Sequence, residues 1–185
     1  MRNDASRLAR APHRLVRAED DGVIEGYASI FERIDMAKDV IEHGAFRASL
    51  ARRGPGGVRL LWQHDAKQPI GAWSSLVEDS RGLYARGRLN MSVRRAREAF
   101  ALIRQGAIDG LSIGFKSERA RADPKSGVRR IAAIDIWEIS IVTFPMMPDA
   151  RVTAITPGDG EADIRALAGD IRRAATLFQP RRSIS

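Results

Sequence analysis

The sequence predicts a mostly β protein with a few helices, an α+β fold, and three observations carry that expectation. Apolar and polar residues roughly alternate from Leu15 to Phe31, as in Val23, Glu25, Tyr27, Ser29 and Phe31, which suggests strands. Two runs, Ile70 to Val77 and Leu83 to Leu89, flank the turn-forming stretch Glu78-Asp79-Ser80-Arg81-Gly82, a hairpin pattern. Helical spacing is confined to short segments, and Gly- and Pro-rich clusters punctuate the chain between them.

In chain order, residues 1–14 read as a flexible basic arm, and Leu15 to Phe31 as two strands around Asp20-Asp21-Gly22. A loop follows, in which Asp35 and Asp39 serve turns. Gly44 to Arg52 forms a short helix with Phe46 and Leu50 on one face, stopped by Gly54-Pro55-Gly56-Gly57. Val58 to Trp62 is a buried strand ending on Gln63-His64-Asp65. After the hairpin, Ser92 caps a helix whose Val93, Ala96, Phe100 and Ile103 recur at helical spacing, and Gly106 ends it. Strands over Gly110 to Glu118 and Val128 to Trp137 are joined by Asp123-Pro124-Lys125-Ser126-Gly127. Glu138 to Phe144 stays extended until Pro145 and Pro148. Thr156-Pro157-Gly158-Asp159-Gly160 reads as a linker, and Ile164, Leu167, Ala168, Ile171, Ala175 and Phe178 as an amphipathic helix. The chain thus divides into an arm (1–14), one domain (15–155) and a tail of linker and helix (156–185).

Composition narrows the function. A chain of 185 residues holds one domain with a real core. Its longest apolar stretches, such as Ile139 to Met147, fall far short of the roughly 20 residues that span a bilayer. The basic N-terminus lacks the apolar centre of a secretory signal, so a cytoplasmic protein without membrane contact is expected. With no cysteine, thiol catalysis, disulfides and cysteine-ligated metals are excluded. The net charge of +8 is spread over the N-terminus, the centre and the C-terminus, and aromatics make up only 6%. Neither feature suits a base-stacking nucleic-acid platform; weak, salt-sensitive attraction to an acidic partner or to nucleic acid fits better.

Gly110-Leu111-Ser112-Ile113-Gly114 matches G-x-S-x-G, the nucleophile pattern of α/β-hydrolases. There the serine sits on a strand-to-helix turn and its histidine follows it. Here Phe115 to Arg119 is extended and His13, His43 and His64 all precede Ser112, which excludes that fold. A serine hydroxyl needs a neighbouring base, and His64, at the end of an apolar strand, is better placed than His13 in the arm or His43 in a loop. A third group must orient the imidazole. Glu138, set among Ile136, Trp137, Ile139 and Ile141, is the candidate, because a carboxylate in such apolar surroundings needs a partner. Asp65 neighbours His64 but would face the other side of a strand. On these residues alone, Ser112 reads equally as a strand serine packed between glycines, and His64 as a strand-end histidine bonded to backbone or water. No metal or other cofactor is expected, since neither His-x-x-x-His nor a compact cluster of His and carboxylates is present.

Taken together, Glu25-Gly26-Tyr27-Ala28-Ser29, Gly44-Ala45-Phe46, Leu61-Trp62-Gln63-His64-Asp65 with Pro69-Ile70-Gly71, Gly110 to Phe115, and Trp137-Glu138-Ile139-Ser140 through Pro145 resemble the HK97-type prohead (capsid maturation) serine proteases of tailed bacteriophages. The likeness covers roughly residues 15–150. It implies a β-barrel-like core surrounded by helices, related to the herpesvirus assembly proteases. It also implies serine endopeptidase activity during prohead maturation, inside the procapsid assembling in the bacterial cytoplasm. The substrate would be the scaffold or the N-terminal region of the major capsid protein, and the protease itself. Carried over by motif, the catalytic residues are His64, Ser112 and Glu138. Two other readings stand beside this one: a catalytically inactive scaffold or adaptor with the same fold, and a basic nucleic-acid-binding module. A phage, a prophage or a gene transfer agent would equally encode such a chain.

Overall fold

The computed structural model describes residues 22–156. The expected arm, the first strand of the N-terminal hairpin and the C-terminal helix lie outside the described residues. Within them the elements are β1 (Val23–Ile30), β2 (Asp39–Ile41), α1 (Arg47–Arg53), β3 (Arg59–Trp62), β4 (Asp65–Glu78), β5 (Gly82–Leu89), α2 (Arg94–Arg104), β6 (Gly110–Ala122), β7 (Arg129–Val142) and β8 (Val152–Thr156). The mostly β expectation holds.

All eight strands belong to one sheet, in the order β2-β7-β3-β4-β5-β1-β8, with β6 on the other edge of β7. Strand β7 is its spine. One edge pairs antiparallel with β6; the other is shared by β2, against Arg129 to Ile131, and β3, against Glu138 to Ile141, both parallel. β2 and β3 thus follow one another along the same edge of β7, and α1 connects them in the chain. The remaining contacts are antiparallel. The sheet curls until its ends meet: Gly110 at the start of β6 bridges to Arg151, and the Leu111 N–H bonds the Ala150 carbonyl at 2.9 Å.

The inner face of β7 carries Ile131, Ile134, Ile136, Ile139 and Ile141, all fully buried. At about 1.5–3 kcal/mol for each buried side chain, this strand contributes heavily to the core. Its parity changes between Ile136 and Ile139. Gly114 pairs with Glu138 but the next residue, Phe115, pairs with Ile136, so a bulge sits at Trp137. The bulge lets isoleucines on both sides of it face inward while Glu138 and Ser140 face out.

Several expectations are corrected. Asp39 is not a loop residue: it opens β2, is buried, and takes a two-pronged ion pair from Arg129 (2.8 and 2.5 Å) that offsets its desolvation. Asp35 does serve a turn, accepting the N–H groups of Ala37 and Asp39. Ser92 does not cap α2. Val93 holds the extended cap position without a side-chain bond, and Asn90 uses its side-chain oxygen to accept the Ser92 N–H. Strand β8 went unforeseen because its partner, β1, lies far away in sequence.

Candidate active site

His64 does not end a strand. Trp62 pairs with Asp65 across a two-residue connection, Gln63-His64, in which both residues take positive φ (52° and 60°). This matches the requirement of a type I′ hairpin turn, normally met by Asn-Gly; two non-glycine residues there store strain. Contacts to β7 hold the turn. The Gln63 N–H bonds the Ile141 carbonyl at 2.9 Å, and the Gln63 side-chain amide bonds the Thr143 hydroxyl at 2.8 Å. The His64 N–H donates to Ser140 Oγ at 3.2 Å.

The turn lays the imidazole over the outward face of β7. His64 Nδ1 and Glu138 Oε1 are 2.5 Å apart, and Ser140 Oγ donates to Glu138 Oε2 at 2.5 Å. A carboxylate can only accept, so Nδ1 carries the proton and the neutral ring keeps its lone pair on Nε2. The bond from Glu138 raises the His64 pKa above the ordinary histidine value, against the opposing effect of desolvation. The imidazole remains 43% exposed while Glu138 is 14% exposed, so the ring is reachable and its carboxylate partner is sheltered.

Ser112 lies on β6 directly opposite Ser140, and Gly114 directly opposite Glu138. Opposed residues share a face, so Ser112, Ser140, Glu138 and the imidazole over them lie on one side of the sheet, with Ser112 one strand spacing, roughly 5 Å, from Ser140. The two serines are not equivalent. Ser140 is fully buried and its hydroxyl is committed to Glu138 and the His64 N–H. Ser112 is buried too, at 5% exposure, but its hydroxyl has no hydrogen-bond partner among the described residues. It lines a small cavity of about 40 Å³, together with Ser29, Asp35, Ile113, Phe115 and Met146. Both glycines of the motif are packing glycines. A methyl at Gly110 would strike the Val142 carbonyl and Pro145, and one at Gly114 would strike Glu138.

The structure therefore brings His64 and Glu138 into contact and places Ser112 on the adjacent strand. His43 packs against the Phe31 ring at 4.6 Å, away from this cluster, and His13 lies outside the described residues. Asp65 is excluded for a reason other than strand alternation: its carboxylate turns to the Lys67 N–H (2.9 Å) and the Gln68 amide (2.8 Å). Sequence reasoning missed Ser140 and Gly114 as parts of the site. The signal for Ser140 was its position two residues after Glu138, hence on the same strand face.

A histidine oriented by a carboxylate, on the same sheet face as a serine hydroxyl that has no partner, is an arrangement that hydrolases acting on acyl groups use. The comparisons with known proteins narrow this class. The chain belongs to the caudovirus prohead serine protease family, whose model matches residues 11–160. It is 34% identical over 160 residues to the prohead protease of Enterobacteria phage HK97, covering 84% of this chain and 70% of that one. It is 30% identical over 154 residues to the capsid polyprotein of Pseudomonas phage PAJU2, covering 79% of this chain and 22% of the polyprotein. The fold matches the bacteriophage T4 capsid assembly protease with a TM-score of 0.52 at 16% identity, over 66% of this chain and 82% of that one. The chain is a protease of phage capsid maturation.

Proposed function

We propose that the chain is a serine endopeptidase in which Ser112 is the nucleophile, His64 the general base and Glu138 the carboxylate that orients it. The observation that carries this reading is the 2.5 Å bond between His64 Nδ1 and Glu138, which leaves Nε2 as the acceptor on the face that bears Ser112. His64 Nε2 takes the Ser112 proton as Oγ attacks the peptide carbonyl, and Glu138 stabilises the imidazolium that forms. The imidazolium then protonates the leaving amine, giving an acyl-enzyme and the first product. Water, deprotonated by His64, releases the second product and restores the serine. Beyond Gly110, the outer edge of β6 has no strand partner among the described residues, and it is the edge to which an extended peptide would add.

Membership of the family supports a substrate class. The chain cleaves the scaffold, or the N-terminal region of the major capsid protein, within the assembling procapsid, and processes itself there. The match to part of a capsid polyprotein supports a capsid-protein substrate. The net charge of +8 suits an acidic scaffold segment, so processing should slow as ionic strength rises; insensitivity to salt would remove that part of the reading.

The test is co-expression with the major capsid protein, comparing wild type and Ser112→Ala by intact mass, together with labelling by a fluorophosphonate probe. Loss of an N-terminal capsid segment with wild type only, and label on Ser112 alone, is the expected result. Identical processing by both proteins would remove Ser112 as the nucleophile. Particles that assemble with no processing by either would favour an inactive scaffold.

A further inference from the structure

We propose that Ser140 is a positioning residue of this protease: one buried hydroxyl fixes both the turn that carries the imidazole and the carboxylate that orients it. The inference rests on His64 and Glu138 acting as proposed above, and it adds a residue to which the mechanism gives no step.

The hydrogen-bond directions argue the case. The Ser140 proton goes to Glu138 Oε2, because a carboxylate cannot donate. The lone pairs of the same oxygen are then free to accept the His64 N–H. Glu138 in turn holds His64 Nδ1 through its other oxygen. The result is a closed loop, from the His64 backbone to the Ser140 hydroxyl to the Glu138 carboxylate and back to the His64 ring. Backbone and ring of one histidine are thus tied to a single strand at positions two residues apart.

Such a loop is needed here because the turn does not hold itself. Gln63 and His64 both occupy the left-handed region without being glycine. The Gln63 bonds to Ile141 and Thr143 anchor the first turn residue. For the residue that bears the imidazole, the Ser140 hydroxyl supplies the anchor to the backbone. Ser140 is fully buried, so water is poorly placed to replace the hydroxyl if it is removed. Glu138 is the charged group acting on His64 among the described residues, since Asp65 is bonded away to Lys67 and Gln68. Loosening the carboxylate should therefore be read directly in the histidine.

The test compares wild type, Ser140→Ala and Ser140→Cys, the last keeping the volume but offering only a weak S–H donor. The probe is a fluorophosphonate, and its labelling rate at Ser112 is measured from pH 5 to 9 on protein shown to be folded by circular dichroism. We expect Ser140→Ala to label about 10- to 100-fold more slowly, with Ser140→Cys close to it. We also expect the acidic limb of the rate profile to move to lower pH, as the bond to Glu138 weakens and His64 relaxes towards its ordinary pKa. A wild-type rate and limb in folded Ser140→Ala would overturn the proposal, as would full recovery by Ser140→Cys, which would assign the effect to packing. A second readout needs no activity. In a Ser112→Ala background, the hydrogen-bonded Nδ1 proton should give a downfield proton NMR signal that Ser140→Cys abolishes. If that signal persists unchanged, Ser140 does not position the pair. If wild type takes no label at Ser112 while the NMR signal responds as expected, the nucleophile assignment fails and the positioning role stands.

Discussion

Gly114→Ala is the most economical perturbation of this site, because it adds one methyl group and removes nothing. Gly114 pairs with Glu138 across β6 and β7, and a Cβ at 114 would lie 2.8 Å from both Cγ and Cδ of Glu138. Carbon atoms in contact sit at about 3.5–4 Å, so the carboxylate must retreat by roughly 1 Å. That displacement stretches two bonds that are each 2.5 Å long, to His64 Nδ1 and to Ser140 Oγ, beyond 3 Å or breaks them. A misplacement of about 1 Å in a positioning group costs on the order of 10²-fold in rate, equivalent to about 2.7 kcal/mol in the barrier. Stability should respond much less. Gly114 does not use the left-handed region, and alanine suits a strand at least as well as glycine. The expected outcome is a kcat about 100-fold lower on a peptide substrate, with a melting temperature within a few degrees of wild type. An enzyme that kept its rate within two- or threefold, with its acidic pH limb unmoved, would refute the reasoning, since Glu138 could not then be an orienting group.

Three further perturbations separate the chemistry from the scaffold. Glu138→Gln removes the carboxylate that raises the His64 pKa, so the acidic limb of the kcat/KM profile should move to lower pH while kcat falls by about 10²–10⁴-fold. In wild type, activity should rise only as pH climbs past the elevated histidine value, which a pH–rate profile checks directly. Ser49→Ala deletes a fully buried hydroxyl that accepts the Ile136 N–H (3.0 Å) and donates to Asp135 (3.1 Å). Urea unfolding should show a loss of about 1–3 kcal/mol, with activity per folded molecule unchanged. Asp39→Asn weakens the pair with Arg129 that ties β2 to β7, and should cost about 1.5–3 kcal/mol in the same assay while leaving fluorophosphonate labelling intact.

Much of the sheet was legible because strand signals are local: the alternation in β1, the turn residues between β4 and β5, and the isoleucines of β7 are each written within a few residues. What escaped was set by partners far along the chain. Strands β2 and β8 are too short to show a period, and they exist because β7 and β1 offer them free edges. Gln63-His64 lacks the Asn-Gly signature of its turn, since the backbone there is held by Ser140, Ile141 and Thr143 rather than by its own preferences. The bulge at Trp137 did leave a trace, in isoleucines that keep one parity at 134 and 136 and the opposite one at 139 and 141.

These failures fall together, and the reason is physical. A regular sheet that buries one face offers no way to hold a carboxylate, an imidazole and a hydroxyl within reach of one another on the other. Here each member of the proposed site depends on a departure from regularity: a strained turn for His64, a bulge for Glu138, and a glycine opposite Glu138 on the strand that carries Ser112. Each departure runs against local propensity and is stabilised by contacts distant in sequence. A reading based on local pattern can therefore name the residues that need partners, as the apolar setting of Glu138 and the exposed end of β3 did. The geometry that supplies those partners appears only where the pattern breaks. Relieving any one break, by a methyl at Gly114 or by removal of the Ser140 hydroxyl, should therefore impair the enzyme while leaving the sheet standing.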